Sequence, residues 1–188
     1  MKKLEFIVAS IIFLTIHVPS AFPLGVRIGA SGNYYIVTDS VFRDAYGSGG
    51  LMVGGTVTLE IMKKLNLLVE ANMIKLNGQM TISKEDIAFS LTPIGVGARF
   101  LLSDNGNFRP YAGAGADLCL YKETLPPRFG DSSGSTVGLH GEVGAYFELG
   151  LRLYVDVNVR YLLVSAKSEG EAFKMSGVKA GIGIGVRL

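Results

Sequence analysis

The stretch LRLYVDVNVRYLL at 151–163 alternates strictly between apolar and polar side chains. Leu153 and Val155 fall on one face of an extended chain, and Asp156 and Arg160 fall on the other. Residues two apart share a face in a β-strand, whereas a helix with 3.6 residues per turn would mix the two classes. The stretch therefore predicts a long β-strand with one apolar and one polar face.

The same alternation recurs along the chain and predicts eight strands, which we take to be consecutive and antiparallel. Short connections alternate with long polar loops, so the short ones would lie at one end and the four long loops at the other. Pro93 interrupts one strand, where we expect a bulge or an edge position, because proline cannot donate a ladder hydrogen bond. The predicted strands cover 25–36, 51–62, 65–76, 87–102, 108–122, 137–149, 151–163 and 178–188. The predicted long loops cover 37–50, 77–86, 123–136 and 165–174.

Alternation alone does not decide which face points inward. A soluble sandwich or lipocalin-like barrel would bury the apolar face, whereas a membrane barrel turns it towards lipid. Strand length favours the membrane, because most predicted strands run about 10–13 residues and can cross a bilayer at a tilt, while ordinary strands average about 5–6. We therefore predict an all-β fold, an eight-stranded antiparallel up-and-down transmembrane β-barrel.

The polar face is more typical of a crowded lumen than of a solvated surface. Its charges nearly cancel, and all but one of its cations are arginine, although the chain contains 10 lysines and 8 arginines. Arginine suits a crowded interior because its guanidinium stays charged and binds a carboxylate with two hydrogen bonds. Glycines on the same face would leave room for these long side chains. The predicted lumen charge network consists of Arg27, Glu60, Glu70, Arg99, Arg109, Asp117, His140, Glu142, Glu148, Arg152, Asp156, Arg160, Lys179 and Arg187.

Composition narrows the function classes. A formal net charge of +2 over 188 residues excludes a strongly basic nucleic-acid binder, and a single cysteine excludes a disulfide scaffold and a cysteine-based zinc site. His140 is the only histidine after position 20, so we expect no transition-metal site and no cofactor. We interpret His140 and Glu142 as lumen hydrogen-bonding residues rather than the catalytic pair of a lipid hydrolase, because no serine is placed beside them.

The N-terminus is typical of a secretory signal peptide. Lys2 and Lys3 precede an apolar run at 6–18, which is shorter than the roughly 20 residues that a spanning helix needs. We predict cleavage after Ser20, which would leave a barrel domain at 21–188.

Three segments carry a resemblance to a known family. TPIGVGARF at 92–100, RPYAGAGADL at 109–118 and GIGIGVRL at 181–188 resemble strands of the small eight-stranded outer-membrane β-barrel proteins, such as the OmpA transmembrane domain, OmpX and OmpW. The resemblance implies an integral protein of the outer membrane of a Gram-negative-type bacterium, in contact with outer-membrane lipids and lipopolysaccharide. It also implies insertion by the barrel-assembly machinery. We expect a monomer.

The sequence favours a structural or surface-interaction role, in which four outer loops contact host molecules, neighbouring proteins or lipopolysaccharide. An eight-strand interior is about wide enough only for side chains, which favours a plug of paired charges over a pore. Two alternatives stay open. One is a narrow pore or an OmpW-like passage for small hydrophobic molecules, and the other is a lipid A-modifying enzyme. We expect a protein that is not an enzyme and assign no catalytic residue.

Overall fold

A computed structural model describes residues 25–80, 85–103, 106–150, 152–168 and 171–188. Within these ranges the chain forms ten strands and one short helix. No helix in the described ranges is long and apolar enough to cross a membrane. The predicted signal peptide at 1–20 lies outside the described residues, so its cleavage stays a prediction. The elements are β1 (Gly25–Val37), α1 (Ser40–Tyr46), β2 (Gly49–Met62), β3 (Leu65–Gln79), β4 (Asp86–Leu101), β5 (Phe108–Thr124), β6 (Ser132–Gly150), β7 (Leu153–Leu163), β8 (Ser165–Ser168), β9 (Glu171–Lys174) and β10 (Gly177–Arg187).

Eight of the strands, β1 to β7 and β10, form a closed antiparallel barrel in which neighbours in the wall follow one another along the chain. β1 completes the circle by pairing with β10, which places Arg27 opposite Arg187 and Val37 opposite Gly177. Closure leaves no open edge in the wall, as a bilayer requires, because its core offers no water to unpaired backbone groups. The predicted all-β, eight-stranded up-and-down barrel is confirmed.

The two faces of each wall strand differ as the alternation predicts. On β7, Val157 and Val159 are 42% and 46% exposed on the outside of the barrel. Asp156 and Arg160 of the same strand are buried in the lumen. Apolar side chains therefore form an outward belt around the barrel, which is the arrangement expected of a wall against lipid.

The connections differ in length at the two ends of the barrel. At the turn end, short connections at 63–64, 102–107 and 151–152 join the wall strands. At the opposite end, the loop end, the connections carry α1 and a separate hairpin of β8 and β9. The three short connections share one end, as the sequence predicts.

One predicted loop is much shorter than expected because the strands on either side continue. Glu123 pairs with Ser132, so the ladder between β5 and β6 extends well into the predicted loop at 123–136. Only 125–131 remains as a connection. The β5–β6 hairpin therefore projects beyond the part of the wall that the sequence marks as a strand.

Two other predicted loops contain regular structure. The predicted loop at 37–50 holds α1, whose Asp39 side chain accepts a hydrogen bond from the Phe42 backbone N at 3.1 Å and caps the helix. Phe42 and Tyr46 are the buried side chains of this helix. The predicted loop at 165–174 holds the β8–β9 hairpin, which pairs only with itself.

Pro93 lies within β4 and forms neither a bulge nor an edge, contrary to expectation. On one side of the proline, Ile94 pairs with Ala71 of β3. On the other side, Leu91 pairs with Ile74, so the register between the two strands is unchanged. The ladder lacks only the two intervening pairs, while β4 stays paired with β5 along this stretch. The wall therefore accommodates the missing N–H of Pro93 without a change of register.

Aromatic side chains face outward near both ends of the barrel. Tyr34 and Tyr161 are exposed towards the loop end, and Phe108 and Phe147 contact each other at the turn end with ring centroids 5.2 Å apart. These four lie where interfacial aromatic girdles are expected. Tyr111 does not join them, because its ring is 1% exposed and its hydroxyl donates to the lumen carboxylate of Asp156.

If the outward belt faces lipid, the free-energy cost of placing a charged side chain on it should depend on the depth of that side chain in the membrane. Ile182 lies midway along β10 and is 59% exposed, so we expect Ile182→Arg to lower the free energy of unfolding in lipid vesicles by about 2–4 kcal/mol. Leu51 lies at the loop end of β2, where Leu51→Arg should cost only about 0–1 kcal/mol. Urea titration, read from the different gel mobility of folded and boiled protein, measures both. Equal costs would contradict a lipid-facing wall.

Candidate functional site in the barrel lumen

Arginines and glutamates fill the lumen near the turn end. Glu60 lies 2.6 Å from Arg27 and 2.6 Å from Arg187. Glu148 lies 2.8 Å from Arg27 and 3.8 Å from Arg109. Arg27 and Arg187 are direct neighbours across the β1–β10 pair. Glu60 therefore offsets the repulsion between two adjacent cations.

Three tyrosines pack against this charged cluster. Tyr146 lies between Tyr111 and Tyr154, with ring centroids 4.9 Å and 5.6 Å away. The Arg27 guanidinium lies 4.6 Å from the Tyr146 ring centroid, which is a cation–π contact. A Cβ atom at Gly185 would lie 2.6 Å from the Tyr154 hydroxyl, so glycine leaves the space that this ring occupies.

Arg99 crosses the middle of the lumen and is 1% exposed. Its Nε and Nη2 donate to the two carboxylate oxygens of Glu142 at 2.7 and 3.0 Å. Its Nη1 donates to the Tyr146 hydroxyl at 2.6 Å and to Asp156 at 3.1 Å. The guanidinium also lies 4.4 Å from the Tyr111 ring centroid. Both edges of the guanidinium and one of its faces are therefore occupied, which fixes the side chain across the barrel.

Arg160 joins this layer to the next one along the lumen. Its Nη2 donates to Glu142 at 2.9 Å, and its Nη1 lies 3.0 Å from Glu70. Lys179 forms an ion pair with Glu70, and the Asn72 amide donates to the same carboxylate. Each of the two buried glutamates therefore faces at least two donors, as buried charges require.

His140 pairs with Asp117 of the neighbouring β5. Its Nδ1 contacts one carboxylate oxygen of Asp117, and Arg160 lies 3.8 Å from the other. Both side chains are buried in the lumen and face away from the lipid side of the wall. No serine hydroxyl within the described ranges bonds to His140, so the arrangement lacks the nucleophile of a hydrolase triad. The pair acts as a hydrogen-bonded member of the lumen network.

The loop end of the lumen is apolar. Phe42 of α1 inserts there and meets Phe89 edge-on, with ring centroids 4.8 Å apart. Tyr46 donates its hydroxyl to Glu123, and burial together with this bond raises the pKa of Tyr46 above its ordinary value. We name the buried side chains that pack together at this end of the lumen the apolar plug. It consists of Tyr35, Val37, Phe42, Tyr46, Met52, Ile74, Leu76, Ile87, Phe89, Leu91, Cys119, Leu162, Val164 and Met175.

Two small voids lie inside the barrel among the residues that the structure describes. One void of about 10 Å³ lies where the charges meet the plug, beside Arg160 and Pro93. A second void of about 10 Å³ lies within the plug, beside Phe42 and Met175. Each has room for about one water molecule. Among the described residues, no group of three or more histidine, cysteine, aspartate or glutamate side chains could hold a metal ion.

The structure brings most of the predicted network together, with one clear exception. Arg152 lies in a turn just before β7, is exposed and has a φ of 70°. Its predicted place in the lumen is therefore wrong, because β7 begins only at Leu153. Arg109 and Arg187 lie at the rim, with side chains 19% and 37% exposed. The predicted residues that lie inside are Arg27, Glu60, Glu70, Arg99, Asp117, His140, Glu142, Glu148, Asp156, Arg160 and Lys179.

Two parts of the lumen were not predicted. Tyr146 and Tyr154 share the parity of the charged residues on their strands, so the alternation places them inside, but they carry no charge that would mark them as members of a network. Phe89 and Leu91 are apolar on a face where the alternation predicts polar side chains. Asp39 was an available sequence signal for α1, because aspartate is a favoured N-cap residue. This helix brings further apolar side chains to the loop end of the lumen.

Glu142 neutralises two arginines at once, which predicts a large effect of its loss. In Glu142→Gln, Arg99 and Arg160 would both lose the carboxylate that they share, and Arg99 would keep only Asp156 and Arg160 chiefly Glu70. We therefore expect the free energy of unfolding to fall by about 3 kcal/mol. Glu85→Gln removes one partner of the exposed pair with Arg128 and should cost at most about 1 kcal/mol. Urea unfolding in vesicles compares the two variants. Similar stabilities would mean that the lumen charges are not mutually dependent.

The structure is similar in fold to several outer-membrane proteins. OprG from Pseudomonas aeruginosa aligns with a TM-score of 0.66 at 15% identity, covering 89% of this chain and 97% of that chain. Neisserial surface protein A aligns with a TM-score of 0.61 at 16% identity, covering 88% and 97%. Ail from Yersinia pestis, solved with the heparin analogue sucrose octasulfate, aligns with a TM-score of 0.54 at 15% identity, covering 88% and 97%. At these identities the likeness concerns the fold alone.

Sequence comparison gives the family directly. No curated protein matches the sequence significantly. The family model described as "Outer membrane protein beta-barrel domain" matches residues 6–187. This match covers nearly the whole chain, and the closed barrel with its outward apolar belt has the architecture that the family name describes. The chain therefore belongs to the outer-membrane protein β-barrel domain family.

Proposed function

We propose that this protein is a closed, non-conducting barrel of the outer membrane that acts through its loop end, at the cell surface. The filled lumen is the observation that carries this proposal. Arg99 and Arg160 cross the interior with both of their carboxylate partners in place, and the voids beside them hold about 10 Å³ each. An ion would have to break several buried ion pairs to pass, at a cost of several kcal/mol for each charge left unpaired.

The apolar plug adds a second barrier at the loop end. Phe42 and Tyr46 of α1 are each 7% exposed and close the lumen above the charge network. Passage of small hydrophobic molecules would require α1 to leave this place and the Tyr46–Glu123 hydrogen bond to break. The closed barrel needs no such rearrangement, which favours the surface role over transport.

The loop end offers side chains of the kind that anchor protein interfaces. Phe129, in the connection at 125–131, is 55% exposed, and the Arg128 guanidinium lies 4.8 Å from its ring centroid. Val41 on α1 is 77% exposed. Exposed aromatic and arginine side chains are frequent hot spots of protein–protein contacts. The loops of bacterial outer-membrane barrels face the outside of the cell, so this surface would meet extracellular or neighbouring membrane proteins.

The paired cations near the tip of the β5–β6 hairpin favour a protein partner over a polyanion at this tip. Lys122 pairs with Asp131 at 2.7 Å, and Arg128 pairs with Glu85. Cations that already have acidic partners do not form the basic patch that a sulfated or phosphorylated polymer requires. The outward belt would contact outer-membrane lipids, and we infer a monomer inserted by the barrel-assembly machinery.

Single-channel recording tests the closed lumen. We expect the purified, refolded protein to give no conductance steps in planar bilayers, because the charges and the plug fill the barrel, and an open porin in the same bilayers serves as control. Arg160→Ala leaves the plug intact and should stay silent as well. Reproducible steps from the wild-type protein that change in Arg160→Ala would contradict the proposal and favour a narrow pore.

Photo-crosslinking in cells tests the surface role. We expect a photoreactive phenylalanine analogue at position 129 to form adducts with protein, because this side chain is exposed at the tip of a loop. The same analogue in place of Val157, on the outward belt, should give no protein adduct. Protein adducts at 157 but none at 129 would place any interaction on the wall and contradict a loop-mediated role.

A further inference from the structure

A groove of about 610 Å³ lies on the outside of the barrel at its loop end. Val137 and Leu139 of β6 and Tyr161 and Leu163 of β7 form its apolar wall. These four side chains are between 41% and 68% exposed. The volume falls within the range of about 300–1,000 Å³ that is usual for small-molecule sites. The groove is separate from the lumen, so a ligand could occupy it whether or not the barrel conducts.

The base of the β8–β9 hairpin forms one side of the groove. Ser165 and Lys174 are opposite each other in this hairpin, and both line the groove. The Thr136 hydroxyl donates to the Ser165 carbonyl at 2.7 Å and ties the hairpin base to β6. The hairpin lies outside the circle of the barrel wall, so it turns a smooth cylinder into a concave surface at this place.

Lys174 is the cation that lines the groove. It is exposed, and no described carboxylate lies within ion-pair distance of its ammonium. Asp39 also lines the groove, and one oxygen of its carboxylate accepts from the Phe42 backbone N. The Thr38 hydroxyl donates to the Ser176 carbonyl at 2.9 Å. The groove therefore carries the positive charge of Lys174 on the hairpin side and the helix-capping carboxylate of Asp39 on the side of α1.

The apolar wall is continuous with the outward belt. Val157 and Val159 lie below Tyr161 on the same face of β7, and all three are exposed. A membrane lipid is therefore the neighbour of this groove, with its acyl part against β6 and β7 and its polar part at the height of Lys174. Because loop ends of bacterial barrels face outward, that lipid belongs to the outer leaflet. The outer leaflet of such membranes is built mainly from lipopolysaccharide, whose lipid A carries phosphates and several acyl chains.

We propose that this groove binds lipid A of lipopolysaccharide, with an acyl chain along Val137, Leu139 and Leu163 and a phosphate on Lys174. A lysine ammonium binds phosphate as a compact charge, and the polar boundary of the membrane lowers the competition from water. The apolar wall then supplies most of the contact area, and the lysine selects the headgroup.

Native mass spectrometry of the full-length protein, released from detergent with defined lipids, tests the site. We expect diphosphorylated lipid A to bind more tightly than its dephosphorylated form and more tightly than phosphatidylglycerol or phosphatidylethanolamine. Lys174→Gln should weaken binding of the diphosphorylated form roughly tenfold and leave the dephosphorylated form unchanged. Val137→Trp should weaken both forms, because the larger side chain would fill the groove.

Lys75→Gln is the matched control. Lys75 is an exposed, outward-facing lysine near the loop end of β3, away from the groove. If Lys75→Gln weakens binding as much as Lys174→Gln does, the surface lysines attract phosphate without a specific site, and the proposal is overturned. Equal binding of phosphatidylglycerol and lipid A overturns the assignment to lipopolysaccharide. The difference in gel mobility before and after boiling verifies that each variant is folded.

Discussion

The outward apolar belt is the constraint on which the rest of the barrel depends. Because one face of every wall strand must meet lipid, the charges of those strands are confined to a lumen that is about wide enough only for side chains. Each long side chain therefore reaches another wall strand: Arg99 of β4 meets Glu142 of β6, and Arg160 of β7 meets Glu70 on the opposite side. An unpaired charge would cost several kcal/mol there, so pairing across the lumen is a condition for closing the barrel.

The same confinement explains why glycine occurs at particular positions of the wall. A Cβ atom at Gly113 would lie 3.1 Å from Arg99 Cγ and 3.1 Å from Glu142 Oε1, in the space that holds their two hydrogen bonds. A Cβ atom at Gly185 would meet Tyr154 in the same way. Glycine weakens an isolated strand, but in this wall it gives a large side chain from another strand the room to lie flat. Gly113 and Gly185 therefore belong to one packing solution with the large lumen side chains beside them.

The sequence was most informative where one residue had only two possible environments. Alternation along 151–163 separates Val157 from Asp156, and a barrel against lipid has one place for each. It failed for Arg152, because parity continues through a turn that the pattern does not mark. It also did not predict the apolar plug, because Phe42 and Tyr46 lie on α1 and are not part of the alternation of any wall strand. The pairing of His140 with Asp117 depends on the β5–β6 register, which one strand alone cannot reveal.

Division of the lumen into a charged part and an apolar plug decides which surfaces can carry function. Arg99, Glu142 and Arg160 bond to one another inside, so these hydrogen bonds lie within the lumen and not at the loop end. The plug in turn buries α1 by its own aromatic contacts, which leaves Val41 facing solvent. Side chains that contribute little to closure therefore gather on the outside, at the loop tips and where the β8–β9 hairpin leaves the wall. The proposed role therefore rests on the surfaces that the barrel presents to the membrane and at its loop end.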